Sequence, residues 1–223
     1  MKELHVGIIL DGNRRFAKKI MKQPWKGHEY GLKKLDNLIE WSIEFGVKEL
    51  TLYCFSLENF NRPKKEFNYL MKLFKKEAEN LKKNPKIDKY KIKIRFIGKR
   101  ELLSPELQEL MKENEEITKN NKNCIINLAI AYGGRQEMVE AIKKLVKSKQ
   151  KINEKNLQKN LWLQNEPDFI IRTGGEKRTS NFLPWQSTYS EWIFLDKLWP
   201  EFTKQDLKNS IKEFYNRKRR FGR

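Results

Sequence analysis

Two cysteines, Cys54 and Cys124, are too few for a disulfide framework, and each falls in a strand-like apolar run. They read as reduced core thiols of a cytoplasmic protein. Uninterrupted apolar stretches reach only about strand length, which excludes a transmembrane helix. The opening residues lead straight into a strand, without the apolar core and cleavage site of a signal peptide. Internal repeats and low-complexity linkers are missing too. Acidic residues are scarce relative to basic ones, 29 against 48, giving a net charge of +19. Such an excess invites a polyanion or membrane-surface reading. Much of the lysine, however, lies on polar faces of helical segments, as in Lys64-Lys65, Lys72, Lys75-Lys76 and Lys82-Lys83. Solvated helix faces therefore outweigh a nucleic-acid groove, although the charge still attracts anionic substrates and lipid headgroups.

What is present describes one α/β domain. At 223 residues, with 38% hydrophobic and 12% aromatic content, the chain has ample material for a core. Apolar runs at 6–10, 49–55, 91–97, 124–131, 168–172 and 192–195 predict six strands. Helical patterns separate most of them, at 15–19, 28–45, 63–83, 104–121, 134–148, 153–163 and from Thr203 onward. Gly46 suits the residue just past a helix end, and Pro63 and Pro105 suit first helical positions. Strands alternating with helices imply a mainly parallel sheet covered on both faces.

Four polar segments follow strands and so share one rim of that sheet. The most informative is Asp11-Gly12-Asn13-Arg14-Arg15, directly after Val6-Gly7-Ile8-Ile9-Leu10. A carboxylate, small residues and arginines at a strand-to-helix junction suit a phosphate ligand, because free backbone N–H groups and the helix dipole favour anions there. The aspartate would repel bare phosphate, which points to a bridging metal ion. The others are Ser56-Leu57-Glu58-Asn59-Phe60-Asn61-Arg62-Pro63, Tyr132-Gly133-Gly134-Arg135, and the stretch from Arg172-Thr173-Gly174-Gly175 through Arg178, Ser180 and Phe182. Singly, each is ordinary turn chemistry at a helix cap. Together at one edge they describe an anionic-ligand site, with arginine forks for phosphate oxygens.

These four motifs, with Glu191, Leu198-Trp199-Pro200 and the tail Arg219-Arg220-Phe221-Gly222, resemble the cis-prenyltransferases, most closely the bacterial undecaprenyl diphosphate synthase type. The resemblance runs in order along nearly the whole chain and implies a single cis-prenyltransferase domain over 1–223, with an apolar tunnel beside the sheet. It implies a Mg²⁺-dependent enzyme that condenses isopentenyl diphosphate repeatedly onto farnesyl diphosphate. The product would be undecaprenyl diphosphate, a precursor of the carrier lipid for cell-wall (peptidoglycan) glycan. By this resemblance Asp11 and Glu191 hold the metal, and Gly12, Asn13, Arg14, Arg15, Phe16 and His28 surround the allylic diphosphate. Arg172, Arg178 and Ser180 take isopentenyl diphosphate. Ser56, Glu58, Asn59, Phe60 and Arg62 lie between the two substrates. Asn59 is the family position tied to proton removal; since an amide is a poor base, it is expected to orient a group rather than take the proton.

Phe16 and Phe60 stand where tryptophan is common, Lys177 where some members have histidine, and Pro24 where an arginine is usual, with Lys22 or Lys26 placed to supply its charge. The resemblance also implies a homodimer with the tail near its interface or the active site, and transient peripheral contact with the membrane. Asp-Asp-x-x-Asp motifs of the trans-prenyl synthases are absent. The alternatives are a product of different length, a non-catalytic partner subunit and, on charge alone, a polyanion-binding protein. No recognised nucleic-acid motif supports the last.

Overall fold

A computed structural model describes residues 3–218; the tail motif at 219–222 lies outside the described residues. Six strands form one sheet: β1 (Leu4–Ile9), β2 (Val47–Ser56), β3 (Ile92–Ile97), β4 (Cys124–Tyr132), β5 (Phe169–Arg172) and β6 (Glu191–Phe194). Their order is β3-β4-β2-β1-β5-β6, and every neighbouring pair is parallel. The six expected runs are all strands, and the expected α/β architecture is the observed one. A buried parallel sheet needs near-continuous apolar strands, and β1 is buried along its full length.

The helices are α1 (Asn13–Lys19), α2 (Gly27–Glu44), α3 (Lys64–Leu81), α4 (Pro85–Lys89), α5 (Pro105–Thr118), α6 (Gly134–Lys147), α7 (Glu154–Asn160) and α8 (Lys204–Asn216). Local signals explain several ends. The Ser104 side chain accepts from the Leu107 N–H with Pro105 at the first helical position, and Thr203 and Asp206 form a reciprocal capping box. Gly46 follows α2 at φ 74°, as its place in the sequence suggests. Pro63 is displaced by one: it caps α3 with ψ 135° instead of entering it. Helix α4 was not anticipated, because five residues are too few to display a helical period.

One face of the sheet buries Val6, Ile8, Leu50, Leu52, Ile94 and Phe96, among others, beneath α2, α3, α5 and α8. The other packs Ile9, Tyr53, Ala129 and Ile170 against Leu163, Phe182 and Leu183. That second face also carries a buried polar stripe. His5 Nε2 lies 2.7 Å from Thr51 Oγ1, and Asn127 Nδ2 donates to Thr51 Oγ1 (3.0 Å) and Glu49 Oε1 (2.7 Å). Asn165 donates to the other Glu49 oxygen at 2.7 Å.

Strand order reverses between β1 and β5, since the chain leaves β1 toward β2 on one side and leaves β5 toward β6 on the other. Ligands of open parallel sheets bind at the carboxyl ends of strands at such a switch point.

Candidate active site

Asp11 leaves β1, and Arg172 ends β5, at this switch point. Arg172 is only 3% exposed, and its Nη2 donates to Asp11 Oδ2 at 2.9 Å. Its Nη1 donates to Ser180 Oγ (2.8 Å) and to the Arg178 carbonyl, while the buried Nε has no partner among the described residues. Arg15 approaches Asp11 Oδ1 at 3.3 Å and donates to the Gly174 carbonyl at 2.5 Å. Close approach here needs glycine. Gly174 has φ 91°, and a Cβ on it would lie 2.5 Å from Arg15 Nη2; Gly12, at φ 108°, caps α1 against Leu198. The first N–H groups of α1 are free of helical partners.

A cavity of about 210 Å³ opens beside this pair, lined by Asp11, Asn13, His28, Asn59, Arg62 and Arg172, among others. The loops that build it are tied together by Asn181. Its backbone carbonyl accepts from Gly134 N and its Oδ1 from Arg135 N, while its Nδ2 reaches Glu58 Oε1 at 3.3 Å. Ser180 and Asn181 are both left-handed, at φ 50° and 62°, and Tyr53 OH fixes the turn by donating to the Ser180 carbonyl at 3.2 Å. Strain of this kind persists where surrounding contacts over-determine it.

Asn59 has a legible chemistry. Its Oδ1 accepts from Ser56 N at 3.1 Å, closing a capping box on the turn Leu57–Asn61. The amide oxygen is thereby anchored to the backbone, and Nδ2 is the group that offers hydrogens to a ligand. A donor orients; it does not take a proton.

At the other wall, Arg62 Nη1 donates to Glu66 Oε1 (2.7 Å) and faces His28 Nε2 at 3.3 Å, while Arg14 Nε lies 3.6 Å from the same Glu66 oxygen. Burial first, then the Arg62 and Arg14 charges, lower the His28 pKa to about 3. The ring is neutral and accepts from Arg62. The unfolded chain binds a proton near pH 6.5 and the folded one does not, so stability falls as pH drops below 6.5 and keeps falling to about 3. Calorimetry of the wild type and His28→Gln is expected to show a shallower loss for the variant, by up to about 2 kcal/mol between pH 6.5 and 5. Parallel curves would reject the neutral ring.

Most expected site residues therefore converge on one rim. Phe16 instead packs on Tyr30 (5.3 Å between centroids), and Phe60 on Phe55 and Phe67. Arg178 is exposed and bound to Glu176 at 2.6 Å, contributing its carbonyl to Arg172. The expected metal pair is not formed within the chain. Glu191 opens β6, level with Phe169 and hence with Val6, whereas Asp11 lies five residues further along β1. In a parallel sheet this puts the two carboxylates roughly 16 Å or more apart, near opposite ends. The predicted run at 192–195 already sets Glu191 at the opening of its strand; the resemblance alone set it beside Asp11. Its carboxylate instead binds Arg217 at 2.8 Å. Glu66, 2% exposed, is the residue sequence reasoning missed; its signal is the i, i+4 spacing from Arg62.

A second, larger cavity of about 1,040 Å³ lies between α2, α3 and the sheet. It shares Leu32, Leu35, Cys54, Leu73 and Phe74 with the charged one, and Ile39, Phe96, Met111 and Ile126 extend its apolar wall.

The chain matches the Prenyltransf family profile, described as "Putative undecaprenyl diphosphate synthase", over residues 9–222. It belongs to the cis-prenyltransferase family. Among curated relatives it is 46% identical to the tritrans,polycis-undecaprenyl-diphosphate synthase (geranylgeranyl-diphosphate specific) of Pyrococcus furiosus, covering 98% of this chain and 86% of that one. It is 41% identical to the isoprenyl transferase of Thermus thermophilus, over 98% and 88% of the two chains. Among solved structures, a probable undecaprenyl diphosphate synthase from Campylobacter jejuni superposes with a TM-score of 0.87, at 36% identity over the full length of both. Lavandulyl diphosphate synthase from Lavandula x intermedia, solved with dimethylallyl diphosphate, gives 0.92 at 32% identity over 98% of each chain. Family membership implies isoprenyl diphosphate substrates. No helix among the described residues is long and apolar enough to cross a membrane.

Proposed function

We propose that the protein adds isopentenyl diphosphate repeatedly to an allylic diphosphate, with cis double bonds, to make undecaprenyl diphosphate for a glycan carrier lipid. The observation that carries this reading is the shared wall between the two cavities. A charged chamber suits the diphosphates and an adjoining apolar one suits a tail that lengthens with each addition. The larger volume is at the top of the ~300–1,000 Å³ range of ordinary small-molecule pockets.

The donor set fits Mg²⁺ that arrives with substrate. Among the described residues no group of three or more His, Cys, Asp or Glu side chains is placed to hold a metal, so a resident ion has no cage. Asp11, however, is a partly exposed carboxylate beside unspent donors, and Mg²⁺ needs few protein ligands when phosphate oxygens supply the rest. Asp11 would hold the ion, whose charge would offset that of a departing diphosphate. Arg15, Arg172 and the α1 N–H groups hold phosphate oxygens, and Asn59 donates to whichever group lies between the substrates. Glu191 can serve such a site only from a second chain, across the interface of a homodimer.

The primer has two readings. Farnesyl diphosphate follows from the resemblance to the bacterial enzymes; geranylgeranyl diphosphate follows from the specificity in the name of the Pyrococcus relative. Purified protein with labelled isopentenyl diphosphate, Mg²⁺ and either primer is expected to give long-chain product, and chelation is expected to stop it. Product sizing names the primer and the length. No incorporation from either primer would overturn the reading.

A further inference from the structure

Between Asp11 and Glu29 the chain carries six cationic side chains and not one acid. After α1 this stretch turns sharply, and at the turn Met21 stands in the left-handed region at φ 55° with its side chain 96% exposed. A methionine held out in water between Lys18 and Lys22 does nothing for the core. The following turn, Pro24–Lys26, rests on the start of α3. Lys65 Nζ lies 5.3 Å from the Trp25 ring centroid, and Lys26 Nζ lies 4.9 Å from that of Tyr69.

Tyr69 belongs at the same time to the lining of the large apolar cavity, with Lys33 from α2 and Lys72 and Lys76 from α3. Lys33, Lys72 and Lys76 are exposed, so the cavity reaches the surface between the two helices with lysines on both banks. Lys18, Lys33, Lys72 and Lys76 form no ion pair among the described residues, unlike Lys75 and Lys86, which bind Glu106 and Glu40. The acids at this opening are Glu29, Asp36 and Glu77, and Glu29 is bound to Lys26.

On the reading that a growing isoprenoid fills this cavity, we propose that this face is where the protein lies on an anionic lipid bilayer. The face comprises residues 18–26 and the outer edges of α2 and α3 around the cavity opening. The lysines meet anionic headgroups, the Met21 side chain enters the acyl boundary, and the opening faces the membrane. The hydrocarbon then passes from cavity to bilayer without exposing its length to water. A nucleic acid would match the charge, but it has no use for an exposed methionine or an apolar opening among the lysines.

The test is sedimentation of the full chain with vesicles of phosphatidylcholine alone or of equal parts phosphatidylcholine and phosphatidylglycerol. Wild type is expected to sediment with the anionic vesicles and not with the neutral ones. The triple variant Lys18→Glu, Met21→Asp, Lys65→Glu, none of whose residues lines either cavity, is expected to lose at least about tenfold in partitioning, and Met21→Ser alone about twofold or more. Condensation by the triple variant in detergent is expected to stay near wild type, and that activity also certifies its fold; circular dichroism does so if condensation is absent from wild type as well. Binding by the triple variant equal to wild type, indifference of wild type to lipid charge, or displacement by duplex DNA with no Met21 contribution would each overturn the docking face. Failure of condensation in wild type with charge-dependent, Met21-dependent sedimentation intact would instead reject the functional reading and leave the surface standing.

Discussion

Asp11→Asn is expected to lower the condensation rate by about a thousandfold or more while leaving the fold intact, a loss of the size seen when one aimed electrostatic group is taken from a transition state. The reasoning rests on what surrounds the carboxylate. Arg172 is nearly fully buried and spends one amino group on Asp11, so removing that carboxylate leaves its Nη2 unpaired and its charge without a counter-ion, with only the Ser180 hydroxyl and the Arg178 carbonyl as acceptors. Stranding a buried charge costs about 3–5 kcal/mol, which makes Asp11→Ala a test of folding as much as of chemistry. Asparagine keeps an oxygen for Arg172 and removes only the negative charge. If that charge holds a phosphate-bound cation, activity collapses and the melting temperature barely moves. Steady-state incorporation of labelled isopentenyl diphosphate, beside a thermal melt, separates the two. A variant retaining a tenth of wild-type rate would remove Asp11 from the centre of the mechanism.

The second large effect concerns product size. Leu73 lines both cavities, whereas Ala78 lines only the larger one and is buried. Filling the junction with Leu73→Trp is expected to stop growth after the first additions, and filling the interior with Ala78→Leu is expected to stop it later. The ordering is wild type longest, Ala78→Leu intermediate, Leu73→Trp shortest. Each five-carbon unit gains up to ~4 kcal/mol from burial at about 0.8 kcal/mol per CH₂, so a unit without space loses its reason to stay. Overpacking itself costs about 1–3 kcal/mol, which stability measurements will register separately. Chromatographic sizing of the labelled lipids reads the order directly. Identical product lengths in all three proteins would mean that the apolar cavity does not house the tail.

Much of this arrangement was legible beforehand. Strands in a doubly covered parallel sheet must be apolar on both faces, so the runs around Ile8, Leu52 and Ile126 stood out. The rim motifs stood out because four of them follow strands and so share one edge, although each singly is ordinary turn chemistry. Glu191 was assigned beside Asp11 by likeness alone, although the run at 192–195 already sets it at the start of its strand. Other features carry no such mark. Asn181 and Glu66 look like surface polar residues until the loops close around them. The stripe of His5, Glu49, Thr51 and Asn127 interrupts runs otherwise read as wholly apolar, and its partners come from three different strands.

That stripe has a consequence at the far end of the sheet. Hydrocarbon side chains slide past one another with little penalty, but hydrogen-bonded groups buried across β1, β2 and β4 tolerate only one alignment. A slip by one residue would turn every inward side chain outward and displace a strand's end by about 3.3 Å. Asp11 departs from one of these three strands and Ser56 from another. The polar seam thus works as a vernier, holding the anion-binding loops to within the length of a single hydrogen bond.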